Sequence, residues 1–160
     1  MKNEIERKFF IKELPDLSAR EKIEYERYFL YNADGIKLRV QRKGERFELE
    51  RKINVSEVER SREKIDVSEE EFALLKSLAK QVIIRDSYIV NDSPSITIKI
   101  YHEKFEGLMR AEVEFDSAQE LENFVPLAWF GTEITASPLA RDADLLKLSE
   151  EKFLSLLAQG

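Results

Sequence analysis

Charged residues alternate with apolar ones near the start of the chain, in the stretch EIERKFF. Glu4, Glu6 and Lys8 occupy every second position, and Ile5 and Phe9 lie between them. Successive side chains of a β-strand point to opposite faces, so the three charges share one face of a predicted strand. Carboxylates are ligands for hard divalent cations, and ammonium groups bind phosphates. The spacing therefore predicts a face suited to a metal ion or a phosphorylated ligand.

Several later segments repeat this alternation of charged and apolar residues. IKLRVQRK and RFELERK flank a turn at Gly44, which predicts a β-hairpin, and ERSREKIDV, SITIKIY and LMRAEVEF show the same pattern. With YERYFLY and VIIRDSYIV, these segments predict about eight strands. The charges that fall in step on them include Arg39, Glu50, Lys52, Arg60, Arg62, Lys99, Arg110, Glu112 and Glu114.

Three segments are predicted to be helical. A capping box of Ser68 and Glu71 opens SEEEFALLKSLAK, and the pair Ser117 and Glu120 repeats that spacing. Leucines at helical spacing in DADLLKLSEEKFLSLLA predict one long C-terminal helix over residues 142–158. These helices must cover part of the predicted sheet.

Length and composition limit the class of protein. The 160 residues, 42% of them hydrophobic, predict one domain spanning residues 1–160. No apolar run is long enough to cross a bilayer, and the start MKNEIERKFF carries charges where a signal peptide needs an apolar core. We therefore expect a cytoplasmic location and no membrane partner.

The charge and the ligand-forming residues exclude several functions. Acids and bases nearly cancel, leaving a net charge of -6, so we expect no nucleic-acid partner. Cysteine is absent and His102 is the only histidine, which excludes thiolate metal sites, disulfides and cysteine nucleophiles. A metal ion would have to be held by oxygen ligands, which favours Mg²⁺, Mn²⁺ or Ca²⁺.

The dense alternation of charges leaves two possible sheets. An open sheet would expose its charged face to water and bury its apolar face. A sheet closed into a barrel would turn the charges inward and the apolar side chains outward, under the helices. Buried ions are costly unless they are paired, so the interior of such a barrel must pair its charges or bind a ligand that completes the pairing.

The residues and their order resemble the CYTH superfamily, also called the triphosphate tunnel metalloenzymes. The resemblance rests on the N-terminal Glu-x-Glu-x-Lys, the hairpin LRVQRKGERFELERK, the acidic strand LMRAEVEF and the segment WFGTEIT. It implies an α+β fold, a closed eight-stranded antiparallel β-barrel whose charged tunnel is flanked by helices, including a C-terminal helix. The family includes inorganic triphosphatases, thiamine triphosphatases, fungal RNA triphosphatases and class IV adenylate cyclases.

The resemblance also implies which residues form the site. A metal ion, Mg²⁺ or Mn²⁺, would be held by Glu4, Glu6, Glu112 and Glu114. Bases against the phosphates would be Lys8, Arg39, Lys52, Arg85 and Arg141, to which this sequence adds Arg60, Arg62 and Lys99. Glu50, Glu114 and Lys8 are the candidates for a catalytic role, with one of the two glutamates as the base that activates water.

Several tunnel positions depart from the family pattern, and two hypotheses follow. Gln41 stands where a second arginine is usual, Glu50 replaces a threonine, and Lys99 replaces an acid. In the first hypothesis the chain is a metal-dependent triphosphatase acting on inorganic triphosphate or a small organic triphosphate. In the second, salt bridges fill the tunnel of a non-catalytic module that binds a polyphosphorylated ligand or a partner. Adenylate cyclase and thiamine triphosphatase activities are further alternatives, and the oligomeric state is left open between monomer and homodimer.

Overall fold

The computed structural model describes residues 2–160, which form nine β-strands and four α-helices. The strands are β1 (Lys2–Ile11), β2 (Ile23–Ala33), β3 (Ile36–Lys43), β4 (Arg46–Asn54), β5 (Glu59–Asp66), β6 (Gln81–Asp92), β7 (Ser95–Tyr101), β8 (Met109–Phe115) and β9 (Phe130–Glu133). The helices are α1 (Glu69–Lys76), α2 (Ala118–Asn123), α3 (Asp142–Leu145) and α4 (Glu150–Leu157). None of the helices in this part of the chain is long and apolar enough to span a membrane.

Eight of the strands close into an antiparallel barrel. Strand β1 pairs with β8 on one side and with β5 on the other, which joins the two ends of the order β5-β4-β3-β2-β6-β7-β8-β1. Strand β9 adds to β1 outside this ring. The predicted eight-stranded barrel is therefore confirmed, with one further strand formed by the segment WFGTEIT.

Short turns set the register of the hairpins. Asp34 and Gly35 connect β2 to β3 and both have positive φ, 53° and 73°. Positive φ at both positions is the geometry of the two-residue turn that matches the twist of paired strands. Gly44, with φ 59°, lies in the β3–β4 turn where the sequence predicted it.

The charged face of the strands points into the barrel and the apolar face points outward. Buried charged side chains include Glu4, Glu6, Lys8, Arg39, Glu50 and Arg85. On the outside, Phe9, Val113 and Phe115 pack in one apolar cluster, against which residues of α2 and the turn before β9 lie. Phe72 of α1 packs on the rings of Tyr28 and Phe47 at another side of the barrel. Closure thus buries the inner face, and the apolar clusters cover part of the outer face.

The segment 138–146, which we call the cap, closes one end of the barrel. Four of its carbonyl groups accept hydrogen bonds from side chains of β1, β2, β6 and β8: Lys8 to Ala140 (2.6 Å), Asn32 to Ala143 (2.8 Å), Gln81 to Leu146 (3.1 Å) and Arg110 to Leu139 (2.7 Å). Leu139, Ala143 and Leu145 are buried with Phe29 and Ile83 of the barrel wall. Both polar and apolar contacts therefore hold the cap in place.

The predicted C-terminal helix is confirmed as α4, but the prediction of a single long helix over residues 142–158 is wrong, because the segment forms two short helices. Helix α3 ends at Leu145, and α4 begins at Glu150, where the side chain of Ser149 accepts a hydrogen bond from the Lys152 amide at 3.1 Å. Serine favours this capping position over a helix interior. The break lets α3 follow the barrel end while Phe153 of α4 packs beside it.

We expect Phe153→Ala to destabilise the protein strongly. The side chain is 4% exposed and its ring lies 5.2 Å from that of Phe105, so truncation leaves a cavity in the cluster under the cap. The free energy of unfolding should fall by about 3–5 kcal/mol, measured by urea denaturation. Leu154→Ala, at a position 53% exposed on the same helix, is the control and should change it by about 1 kcal/mol or less. Equal losses in the two variants would contradict the packing described for α4.

Candidate functional site

A narrow cavity lies inside the barrel, beneath the cap. The space open to the centres of water molecules inside it is about 40 Å³. It is lined by Glu6, Lys8, Arg27, Lys37, Arg39, Lys52, Arg60, Lys99, Arg110, Glu112, Arg141, Asp142 and Ala143. Nine bases against three acids leave a formal surplus of six positive charges on the wall. The electrostatics of this wall favour an anion with several charges.

Many donors on the interior arginines have no acceptor. Among the described residues, Arg27, Arg39, Arg60, Arg85, Arg110 and Arg141 each bury at least one guanidinium nitrogen without a hydrogen-bond partner. Arg60 buries two, Nε and Nη1. Buried polar groups are rarely left unpaired because their desolvation is costly. Oxygen atoms of an anion are acceptors that would satisfy these donors.

Glu4 forms ion pairs with two cations. Lys52 Nζ donates to its Oε2 at 2.9 Å, and Arg62 Nη1 lies 2.9 Å from Oε1. Burial raises the pKa of Glu4, but Lys52 and Arg62 outweigh that effect and hold the pKa below its ordinary value. Both carboxylate oxygens are therefore occupied in ion pairs.

Lys8 lies between two of the other predicted metal ligands. Its Nζ is 3.1 Å from Glu6 Oε1 and 3.6 Å from Glu112 Oε2, and Lys99 approaches the same Glu112 oxygen to 2.9 Å. Burial raises the pKa of Glu112, but Lys99 and Lys8 hold it well below its ordinary value. Glu114 is directly opposite Glu6 in the β1–β8 pair, so these two side chains share the inner face.

The donor chemistry of this wall fits a hard divalent cation, but a metal site is not assembled. Glu6, Glu112 and Glu114 offer carboxylate oxygens from two adjacent strands. Across residues 2–160, however, no three acidic or histidine side chains are grouped so that they could hold an ion. Lys8 bridges Glu6 and Glu112, and Glu4 binds other cations. Metal binding by the predicted set therefore stays a prediction, with Glu4 the least suitably placed member.

Glu50 is poorly suited to the role of general base. Its carboxylate accepts a hydrogen bond from Arg39, and Arg62 Nη1 lies 3.8 Å from its second oxygen. Burial raises the pKa of Glu50, but Arg39, Lys52 and further cations lower it far below the ordinary range. A carboxylate with such a low pKa accepts a proton weakly near neutral pH. The geometry instead gives Glu50 a role as counter-ion to Arg39.

The predicted phosphate-binding bases divide into two groups. Six of them line the cavity: Lys8, Arg39, Lys52, Arg60, Lys99 and Arg141. Arg62 and Arg85 do not line it. Arg62 pairs with Glu4 and Glu50, whereas Arg85 is fully buried and binds Asp142 and Ser87. The structure thus brings together most of the bases that the sequence analysis selected.

Four charged residues of the cavity wall were missing from the predicted site. Lys37 and Arg110 alternate in step with Arg39 on β3 and Glu112 on β8, so the strand pattern contained a signal for them. Arg27 lies on β2, a predicted strand on which no charge was selected. Asp142 had no such signal because it lies on α3 and reaches the interior only through the docking of the cap.

Lys37 has the most unusual environment among the bases of the cavity. It is 5% exposed, and its Nζ donates to Asn54 Oδ1 at 2.5 Å. Burial lowers the pKa of Lys37 to about 7, and the charges of Arg60, Lys52, Arg39 and Arg141 lower it in the same direction. Burial also lowers the pKa of Lys8 and of Lys99. Without an anion, the cluster of cations repels its own charge.

The pKa of Lys37 predicts a pH dependence of stability. Below pH about 7 the folded and unfolded chains both carry the proton, and above it the folded chain releases the proton first. Between that pH and the ordinary lysine value of 10.5, the unfolded chain binds more protons, so stability rises with pH. Relative to Lys37→Met, the wild-type free energy of unfolding should rise by up to about 1.4 kcal/mol per pH unit in this range.

Urea denaturation at several pH values between about 6 and 10 measures this slope. Lys12→Met is the control because Lys12 is an exposed lysine outside the barrel interior, and its curve should run parallel to that of the wild type. Parallel curves for Lys37→Met and the wild type would contradict the environment described for Lys37.

Several solved structures share this architecture. No family model matches the sequence, and no curated protein does either. The structure described as the inorganic triphosphatase NE1496 superposes with a TM-score of 0.68 at 23% identity, covering 91% of this chain and 98% of that one. PH1012 from Pyrococcus horikoshii OT3 gives 0.57 at 15% identity, covering 93% of each chain.

A putative adenylate cyclase from Bacillus halodurans, bh2851, gives a TM-score of 0.51 at 14% identity, covering 76% of this chain and 86% of the other. At these identities the likeness concerns the fold. The chain shares the barrel fold of these structures, and a closed eight-stranded barrel is the fold that the resemblance of its sequence implied.

Proposed function

We propose that the barrel binds inorganic triphosphate or a small organic triphosphate and hydrolyses its terminal phosphoanhydride bond. The observation that carries the proposal is the wall of nine bases, several of whose buried N–H groups lack an acceptor. A linear triphosphate supplies many oxygen acceptors and several negative charges in one small molecule. Charge-assisted hydrogen bonds to these oxygens would satisfy the donors and remove the repulsion among the cations.

The bases surround the cavity from several strands, which suits the positioning of a phosphate chain. Arg39 on β3, Arg60 on β5 and Lys99 on β7 approach from different sides, and Arg141 approaches from the cap. Phosphoryl transfer depends on alignment and on stabilisation of the charge on the phosphate oxygens. Water would attack the terminal phosphorus, the bond to the bridging oxygen would break, and orthophosphate and diphosphate would leave.

Glu6, Glu112 and Glu114 are the residues that would hold a divalent cation, Mg²⁺ or Mn²⁺. When bound, the ion would neutralise charge on the phosphate oxygens. In the ligand-free barrel Lys8 binds two of these carboxylates, so Lys8 is placed to contact phosphate oxygens beside them. The name of the neighbour NE1496, an inorganic triphosphatase of the same fold, supports this choice of reaction over the adenylate cyclase alternative.

A non-catalytic binding module is the second candidate function, and one observation favours it. The interior acids are paired with interior bases: Glu4 with Lys52, Glu50 with Arg39, and Glu112 with Lys99. Such pairing leaves fewer carboxylates for a metal ion. A module of this kind would bind the same anion through the remaining cationic surplus without turnover.

Arg60→Met should weaken binding of tripolyphosphate because it removes two buried donors that have no other acceptor. Affinity should fall by about ten- to hundredfold, as expected for a lost charge-assisted hydrogen bond. Calorimetry in EDTA measures the affinity, and release of orthophosphate with Mg²⁺ or Mn²⁺ measures the reaction. Arg51→Met is the matched control, since Arg51 lies on β4 outside the barrel and pairs with Glu63 at the surface. If tripolyphosphate fails to bind the wild type, the proposal is wrong.

Glu6→Gln separates the two candidate functions. We expect the variant to bind tripolyphosphate as the wild type does or more tightly, because one interior negative charge is removed. Its release of orthophosphate in Mg²⁺ or Mn²⁺ should fall by about a hundredfold or more if Glu6 helps to hold the ion. Glu133→Gln, outside the barrel and paired with Arg7, is the control. Turnover is measured with tripolyphosphate, thiamine triphosphate and ATP, and wild-type binding without turnover of any of them would favour the module.

A further inference from the structure

Asp142 places a carboxylate among three arginines inside the barrel. Its Oδ2 accepts from Arg27 Nη1 at 3.0 Å and from Arg85 Nε at 3.2 Å, and its Oδ1 accepts from Arg110 Nη2 at 3.3 Å. The hydroxyl of Tyr101 donates to the same Oδ1. The side chain of Asp142 is only 2% exposed. Four donors from β2, β6, β7 and β8 thus converge on one carboxylate.

The carboxylate does not neutralise this arginine cluster (Arg27, Arg85 and Arg110). Asp142 brings one negative charge to three positive charges, Glu112 Oε2 lies 4.0 Å from Arg110 Nη2, and each arginine still buries one nitrogen without an acceptor. An anion with three or four oxygens and a higher charge would satisfy more of these donors than a carboxylate can. The arginine cluster therefore has the composition of a phosphate site that an internal anion already occupies.

Asp142 also forms part of the wall of the cavity. It lines the cavity with Ala143, its neighbour in the cap, and with Arg27 and Arg110 from the cluster. The other bases of the wall, such as Lys37, Arg39 and Arg60, do not contact Asp142 through a hydrogen bond or ion pair among the described residues. Asp142 thus holds some of the interior bases, and the bases available to a ligand are those that it does not hold. Of the latter, Arg39, Lys52 and Lys99 also pair with glutamates.

We propose that Asp142 is a specificity-determining residue that limits the length of the phosphate chain bound in the barrel. The inference rests on the proposed function, because it concerns the same cavity. A phosphate chain held by the available bases ends where it meets the Asp142 carboxylate, since a further phosphate would be repelled by this charge and would find its arginines occupied. The cap supplies Asp142 and closes the same end of the barrel, so it also blocks the path of a longer chain.

The wild-type protein provides the first test, by calorimetry in EDTA with linear diphosphate, triphosphate and tetraphosphate. On charge alone, affinity for a cationic site should increase with every added phosphate. We expect affinity to increase from diphosphate to triphosphate and then to change by less than about threefold, or to fall, for tetraphosphate. Tetraphosphate binding about tenfold or more tighter than triphosphate would overturn the inference and leave the proposed function intact. If triphosphate does not bind, the proposed function fails, and this inference fails with it.

Asp142→Asn provides the second test because it removes the charge and keeps the shape of the side chain. The ratio of tetraphosphate to triphosphate affinity should rise by about tenfold or more over that of the wild type. The unfilled arginine cluster should also make thermal stability depend on anions, with a larger rise in melting temperature on adding sulfate than the wild type shows. An unchanged ratio of affinities in the folded variant would overturn the inference.

Asp86→Asn is the matched control. Asp86 follows Arg85 on β6, but its carboxylate pairs with His102, 2.7 Å away, and does not face the arginine cluster. The ratio of affinities and the response to sulfate should both equal those of the wild type. If Asp142→Asn does not fold, the double variant Asp142→Asn/Arg110→Met replaces it, because removing Arg110 lowers the uncompensated positive charge. The double variant should show the same rise in the ratio of affinities. The wild-type measurements with the three chain lengths test the inference in either case.

Discussion

The structure depends on how ions are compensated inside a narrow barrel. An eight-stranded barrel is just wide enough for its own side chains to fill, so ions on its inner face are largely removed from bulk water. Each of them then requires a partner of opposite charge or a hydrogen-bond acceptor. The glutamates meet this requirement through Lys52, Arg39 and Lys99, but the bases outnumber the acids on the cavity wall. The remaining donors are the basis of the proposed binding of an anion.

The apolar part of the fold makes this arrangement possible. Clusters on the outside of the barrel, under α1 and α2, supply the hydrophobic stabilisation that a charged interior cannot. A second cluster, formed by Leu139, Leu145 and Phe153 with the end of the barrel, fixes the cap. Apolar packing of the cap holds the Asp142 carboxylate in a buried position, where a charge without partners would be unfavourable. The apolar clusters that stabilise the fold therefore lie outside the barrel and at its end, whereas the charged side chains lie inside it.

Ligand binding and protonation are coupled in such a site. The depressed pKa values of Lys37, Lys8 and Lys99 have burial as their largest cause, with the charges of neighbouring arginines acting in the same direction. A bound polyanion reverses the effect of those charges and favours the protonated amines. On the proposed function, binding of the anion would therefore raise the pKa of these lysines.

The sequence by itself determined the strands, the faces they present and most of the bases on the wall. Glu6, Lys8, Arg39 and Glu112 lie on the charged face of their strands because successive side chains of a strand point to opposite faces. This assignment does not depend on which strands pair. Only the tertiary structure decided which charges meet. Pairing of β1 with β5 brings Glu4 to Arg62, and docking of the cap brings Asp142 to Arg110, across distances in the chain that no local pattern encodes. Two further points were decided by neighbouring residues: Ser149 caps α4 and ends the predicted long helix, and Glu50 forms an ion pair with Arg39, which lies opposite it in the β3–β4 hairpin inside the barrel.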